Sequence, residues 1–227
     1  MSTHEKLLFA LEDPAPAARE NFIAWAREVA QGSGVGRAEI EELDPDAQSA
    51  HTAKRVRFFA FASLWVSPDR VDQLRSGAPA RAQWFHVRER LAFDRSARDD
   101  EARPWAGIKK TTPWAPVSGV DAAIWQAGYT NHGEVAKAHH ATCVRYRQNV
   151  VIAASVADVG AVSELWWTNT EDLVDRFYRS GEAEQLIAVD ASGFVDATRA
   201  HPTVTTHETI RIGAVTGTRG FLPDATS

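Results

Sequence analysis

The alternation of apolar and polar positions divides the chain into two stretches of the same order. In the first, a strand is predicted over 5–12. A helix over 17–31 follows, its Phe22, Trp25 and Val29 recurring at spacings of three and four and so sharing one stripe. Gly32, Gly34 and Gly36 stop that helix. Strands are predicted over 37–43 and 55–66. The second contains the apolar run FFAFASLWV, too short to cross a bilayer and read as a buried strand. A short helix over 68–75, with Ser67 as N-cap and Pro68 at the first helical position, leads to a strand over 83–93.

The second stretch predicts a strand over 107–117, a helix over 120–142 and strands over 144–154 and 162–168. A helix over 170–186 follows, capped by Asn169, with Glu171 and Asp172 in its first turn where the helix dipole favours acids. A strand over 203–212 closes the set. Each half therefore reads β-α-β-β-α-β, the order of a ferredoxin-like sheet. Leu64-Trp65-Val66-Ser67 and Leu165-Trp166-Trp167-Thr168 lie 101 residues apart, and the same offset carries 7–11 onto 108–112. A duplication is the expected origin. The segment RSARDDEAR is highly charged and lacks apolar periodicity, so it reads as a linker. The expected division is a unit over 1–94, a linker over 95–104, a unit over 105–213 and a loose tail over 214–227. A ferredoxin-like sheet carries helices on one face only. Two such α+β units packed sheet to sheet within one chain cover both exposed faces.

Composition narrows the function. The chain has 227 residues, 44% of them hydrophobic, enough for one large core or two half-size ones. Its net charge of −5, from 25 basic and 30 acidic residues, argues against a nucleic-acid partner or an anionic membrane surface. Cys143 is the single cysteine, which excludes an intrachain disulfide and fits a reducing cytoplasm. No basic segment followed by an apolar run opens the sequence, so a signal peptide is not expected. Eight tryptophans against one methionine supply large rigid apolar area, either for packing or for lining a pocket around an aromatic ligand.

Three of the eight histidines fall in one predicted helix, GYTNHGEVAKAHH. His132 and His139 are two turns apart on one face, and His140 lies on its flank. The strand that follows bears Arg145, Tyr146 and Asn149. Histidine titrates near neutrality and suits proton transfer, while a nearby tyrosine can orient a substrate. Buried or exposed structural histidines are the alternative. Zinc pairs on a helix favour i and i+4, which these residues lack, and neither CxxC nor HExxH occurs, so no metal is expected. Val162, Glu164 and Trp166 share one face of a strand, where Glu164 would be either a pocket carboxylate that orients a histidine or an ordinary surface acid. Neither GxGxxG, GxxxxGK[ST] nor GxSxG is present.

NHGEVAKAHH with ATCVRYRQNVV, then VSELWWTNTEDL, resembles the EthD-type family over about half the chain. The aromatic position of that pattern is Tyr129, its first histidine His132 and its second His140. Arg145, Tyr146 and Asn149 match its RYxxN strand, and Glu164, Leu165 and Trp166 its later strand. The first half matches only in element order. The resemblance implies a dimeric α+β barrel with a cofactor-free pocket between sheet and helices, acting on small, often aromatic or polyketide-like molecules. Under it, His132, His140 and Tyr146 are the catalytic candidates, and Tyr129, His139, Asn149, Glu164 and Trp166 the substrate-binding ones. The expected activity is that of a cofactor-independent lyase or isomerase acting by histidine acid–base chemistry. The alternatives are a cofactor-free monooxygenase and a non-catalytic carrier of an apolar metabolite. A small hydrophobic molecule is the expected partner, with a homodimer compatible. The pocket is expected in the second half, which alone has the histidine helix.

Overall fold

A computed structural model describes residues 4–96 and 107–211, with side chains through 206. Eight antiparallel strands close into a barrel, and helices cover its outside. In the first half these are β1 (Glu5–Leu11), α1 (Pro16–Ala30), β2 (Val35–Leu43), α2 (Pro45–His51), β3 (Ala60–Val66), α3 (Val71–Ser76) and β4 (Ala82–Asp94). The second half supplies β5 (Ile108–Pro116), α4 (Ala122–His139), β6 (Arg145–Ala154), β7 (Ala161–Trp167), α5 (Thr170–Val174), α6 (Gly181–Ser192), β8 (Val195–Ala200) and β9 (Thr203–Arg211).

Within each half the strands pair in ferredoxin-like order, β4-β1-β3-β2 and β6-β7-β5-β9. The halves join edge to edge: β4 pairs with β6, and β2 with β9. Every barrel edge is thereby satisfied, which is how closure removes the hazard of an exposed strand. The offset of 101 carries Ala60–Val66 onto Ala161–Trp167, the bounds of β3 and β7.

Period-two alternation sorts each strand into an outward and an inward set. Outward Leu7, Phe9 and Leu11 pack with Phe22, Ala26 and Ala30 of α1. In the second half Tyr146, Leu165 and Trp167 pack with Trp125, Tyr129 and Ala136 of α4. Inward Leu8, Ala10, Phe61, Phe85 and Val162 make a separate apolar cluster at one end of the barrel. Gly34, at φ +79°, makes the turn from α1 to β2 in a conformation that favours glycine.

Four expectations need correction. The strand predicted over 55–66 is shorter, and the segment before it contains α2, unforeseen although Asp44 caps it by accepting from the Asp46 and Ala47 amides. The helix predicted over 170–186 is two helices, because 175–180 leaves the helical path and turns Phe177 inward. β8 was unforeseen: it precedes the strand expected over 203–212, which β9 matches, and His201-Pro202 separates the two where proline cannot donate to a ladder. Ser67 precedes a 3-10 turn over Pro68–Arg70, and its side chain makes no capping bond to the helix. Most of the linker expected over 95–104, and the tail over 214–227, lie outside the described residues. Among the described residues no helix is long and apolar enough to cross a membrane.

Candidate active site

α4 begins where the Asp121 carboxylate accepts the Ala123 amide, 2.8 Å away. Its buried residues, Trp125, Tyr129, His132, Gly133 and Ala136, recur at helical spacing and face the sheet. Gly133 permits the approach: a Cβ there would stand 3.0 Å from the Ala92 Cβ on β4. His132 is thus held between helix and sheet, 8% exposed. Its ring lies 5.3 Å from Phe194 and 6.2 Å from Tyr146.

The Asp190 carboxylate on α6 accepts from His132 Nδ1 at 2.6 Å. This leaves the proton on Nδ1 and the lone pair on Nε2, which takes no hydrogen bond among the described residues. Burial lowers the His132 pKa from its ordinary value, and Asp190 opposes that without reversing it. At neutral pH the imidazole is therefore an uncharged, oriented base.

His140 ends α4 in an extended conformation that drives its ring inward, 6.5 Å from His132 and 4.2 Å from Phe177. It is 3% exposed, and neither ring nitrogen has a hydrogen-bond partner among the described residues. Burial and the nearby Lys110 charge hold its pKa well below the usual value. His139 is only half-buried, so of the adjacent pair it is His140 that enters the interior.

The other expected residues divide by the face of the strand that carries them. The Tyr129 hydroxyl donates to the Val162 carbonyl at 3.2 Å and meets Ser163 Oγ at 3.0 Å. Tyr146 approaches the same Ser163 oxygen at 3.5 Å. Both lie on the histidine side of the sheet. Asn149, Glu164 and Trp166 point the other way, into the barrel, so the expectation that they share a pocket with His132 is corrected. Asn149 stands three residues from Tyr146 on one strand, and an odd separation reverses the face.

Inside the barrel Glu164 belongs to a buried ionic network. Lys109 donates to Glu164 and to Glu41, each at 2.5 Å, and reaches Glu39 at 3.3 Å. Lys6 donates to Glu164 at 2.5 Å, Glu89 at 2.7 Å and Asn149 at 3.0 Å. Arg147 donates to Glu39 at 2.9 Å. Oxygens of Glu39, Glu41 and Glu164 lie within 4.8 Å of one another, a set a metal ion could use, yet the Lys109 ammonium occupies the centre as their cation. Glu164 therefore orients no histidine. Asp190 does, and it lies beyond the helix expected over 170–186, so nothing in the sequence marked it.

A cavity of about 510 Å³ opens beside this region, between α2, β5 and the α5–α6 connection. Lys110, His51, Phe177 and Tyr178 line it. Lys110 points outward from the strand whose Lys109 points inward, and its ammonium lies 4.8 Å from the Phe177 ring and 5.3 Å from that of Trp167. Neither Lys110 nor His51 was singled out from sequence.

No family model matches this sequence, and no curated protein matches it. Solved structures do. An anthrone oxidase-like protein superposes with TM-score 0.66 at 9% identity, over 94% of this chain and 95% of its own. The "putative monooxygenase" of Lactobacillus acidophilus NCFM gives 0.52 at 10% identity, over 94% and 99%. That of Fusobacterium nucleatum gives 0.52 at 6% identity, over 94% and 97%. At such identities the likeness is one of fold. The chain has the fold of the dimeric α+β-barrel proteins, with the whole barrel made by one polypeptide.

Proposed function

We propose that this protein is an oxygen-using oxidoreductase acting on a small aromatic molecule, with His132 as general base. The observation that carries the proposal is the His132–Asp190 pair: a buried imidazole with one nitrogen oriented by a carboxylate and the other free. A carboxylate-oriented base suits abstraction of a proton from an activated C–H. The resulting carbanion can pass electrons to dioxygen, so the substrate is its own reductant. For a methylene the balance is CH2 + O2 → C=O + H2O. Oxidation is preferred over the lyase or isomerase chemistry the same base would serve, because fold neighbours carry oxidase and monooxygenase names. Tyr146 and His140, flanking His132, are the proposed neighbours of the reacting atoms. Kinship with the EthD-type family, an origin by tandem duplication and a cytoplasmic location belong to the same proposal. The 101-residue offset and the buried, unpaired Cys143 support the last two in turn.

The test is oxygen uptake with anthrone-type aromatics as substrates. His132→Ala is expected to lower turnover by about 10²–10⁴-fold, the usual contribution of a positioned base. Asp190→Asn should lower it by less. The wild-type rate should fall as pH drops through the His132 pKa, below the ordinary histidine value, and the variant should lose that limb. A folded His132→Ala protein with undiminished turnover would falsify the catalytic role. Product formation without oxygen uptake would return the reading to a lyase or isomerase.

A further inference from the structure

We infer that the cavity between α2, β5 and the α5–α6 connection binds an aromatic carboxylate, with Lys110 as its cation. The inference rests on the proposed function for making this region a substrate site, and it adds the chemical class of the substrate.

Three features of the cavity converge. First, Lys110 brings a positive charge to a half-buried position without an answering anion. Among the described residues it has no hydrogen bond and no ion pair, only the faces of Phe177 and Trp167. Its neighbour Lys109, by contrast, is held by three carboxylates. A half-buried ammonium that lacks a counter-ion favours a ligand that supplies one.

Second, His51 lines the same cavity from the other half of the chain and likewise has no partner among the described residues. Burial and the Lys110 charge push its pKa down to about 3. It is neutral in use, and its ring N–H is available to a carboxylate oxygen.

Third, one side of the cavity is aromatic. Phe177 and Tyr178 stack on each other, 4.4 Å apart, and both lie against the buried His140. A flat ring carrying one carboxylate fits this arrangement, with the charge on Lys110 and the ring along Phe177 and Tyr178. The same stack connects the cavity through His140 to His132.

The ionisable groups around Lys110 make the pH dependence legible. His51 on α2 and His140 at the end of α4 are held neutral. Burial raises the Cys143 thiol to about 12 and also raises the Tyr178 hydroxyl, so neither is an anion near neutrality. Asp175 and Glu184 also line the cavity, and Glu184 acts on Tyr178, but both side chains are exposed and water screens them. Burial lowers Lys110 itself to about 8. Below that pH the ammonium is present, and above it the cavity loses its cation.

Calorimetric titration of the full chain with benzoate, and with benzamide as its neutral counterpart, tests the assignment. Benzoate should bind at pH 7 and benzamide far more weakly. Lys110→Met should weaken benzoate by about tenfold or more, the weight of a charge-assisted hydrogen bond. Lys110→Arg should retain most of the affinity. Wild-type affinity should decline as pH rises past about 8. Equal binding of the two probes, an unaltered Lys110→Met protein, or no benzoate binding overturns the inference. So does borohydride trapping of benzaldehyde on Lys110 in the absence of benzoate binding, which would make the amine a nucleophile. Because the readout is binding, a His132→Ala protein that loses turnover but still takes benzoate separates this inference from the catalytic one.

Discussion

Tyr129 shows how one residue can match a site pattern and still serve the scaffold. It is buried, its ring packs edge-on at 4.8 Å against Trp114, and its hydroxyl ties α4 to β7 through Val162 and Ser163. Burial raises its pKa well above the usual phenol value, so it stays neutral. Tyr129→Phe should cost about 0.5–1.5 kcal/mol by loss of a buried hydrogen bond. Turnover should change little beside the effect of His132→Ala. Chemical denaturation and oxygen uptake on the same variant check both halves of this. A rate loss as large as that of His132→Ala, at unchanged stability, would move Tyr129 into the reacting group. At this scale His132 differs from Tyr129 in one respect: the tyrosine's hydrogen-bonding group is satisfied, whereas His132 keeps a free nitrogen.

At the scale of elements, the break between α5 and α6 shapes the site. The sequence over 170–186 reads as one helix from its Asn169 cap and the acids of its first turn. The structure spends 175–180 on burying Phe177 against Trp167 and His140 instead. A second helix then needs its own start. Ser180 provides it by accepting the Ala183 amide at 3.1 Å, with Glu182 and Glu184 in the first turn. Ser180→Ala should therefore cost about 1 kcal/mol. It should also loosen the wall beside Lys110, seen as faster amide exchange at the start of α6. If denaturation midpoint and exchange are both unmoved, the cap is idle and the break has another cause.

At the scale of the whole molecule, barrel closure decides what is inside. Lys109, buried among three carboxylates, is the centre of that interior, and Lys109→Met leaves them without it. Removing one partner from a buried ionic network costs about 3–5 kcal/mol, a large part of a typical folding free energy. The network also sets the acid response. Cationic neighbours hold Glu39 and Glu164 well below the ordinary carboxylate value against the opposing effect of burial. Their stabilisation is present above the unfolded pKa, about 4.3, and fades as pH falls from there toward their folded values. Glu41 runs the other way, raised by burial, so its contribution is present at low pH and fades as pH rises. With two groups depressed against one raised, melting temperature should fall between pH 5 and roughly 3, and less steeply in Lys109→Met. An equally steep fall in that variant would place the acid sensitivity outside the barrel.

The sequence by itself determined the β-α-β-β-α-β order of each half, though not α2, β8 or the α5–α6 break, since periodicity, caps such as Asn169 and the repeated LW pair are properties of short segments. It also singled out His132 and His140 as candidates, because three histidines in one helix need no partner to be noticed. Tertiary structure decided which face of each strand became interior. That choice sent Asn149, Glu164 and Trp166 into the barrel and left Tyr146 with the histidines, a division set by where the β4–β6 and β2–β9 seams close. It also decided the partners. Asp190 lies 58 residues from His132, and His51 faces Lys110 across the two halves. Contacts of that range leave no periodic trace, because they depend on how packed elements meet and not on the pattern within either one.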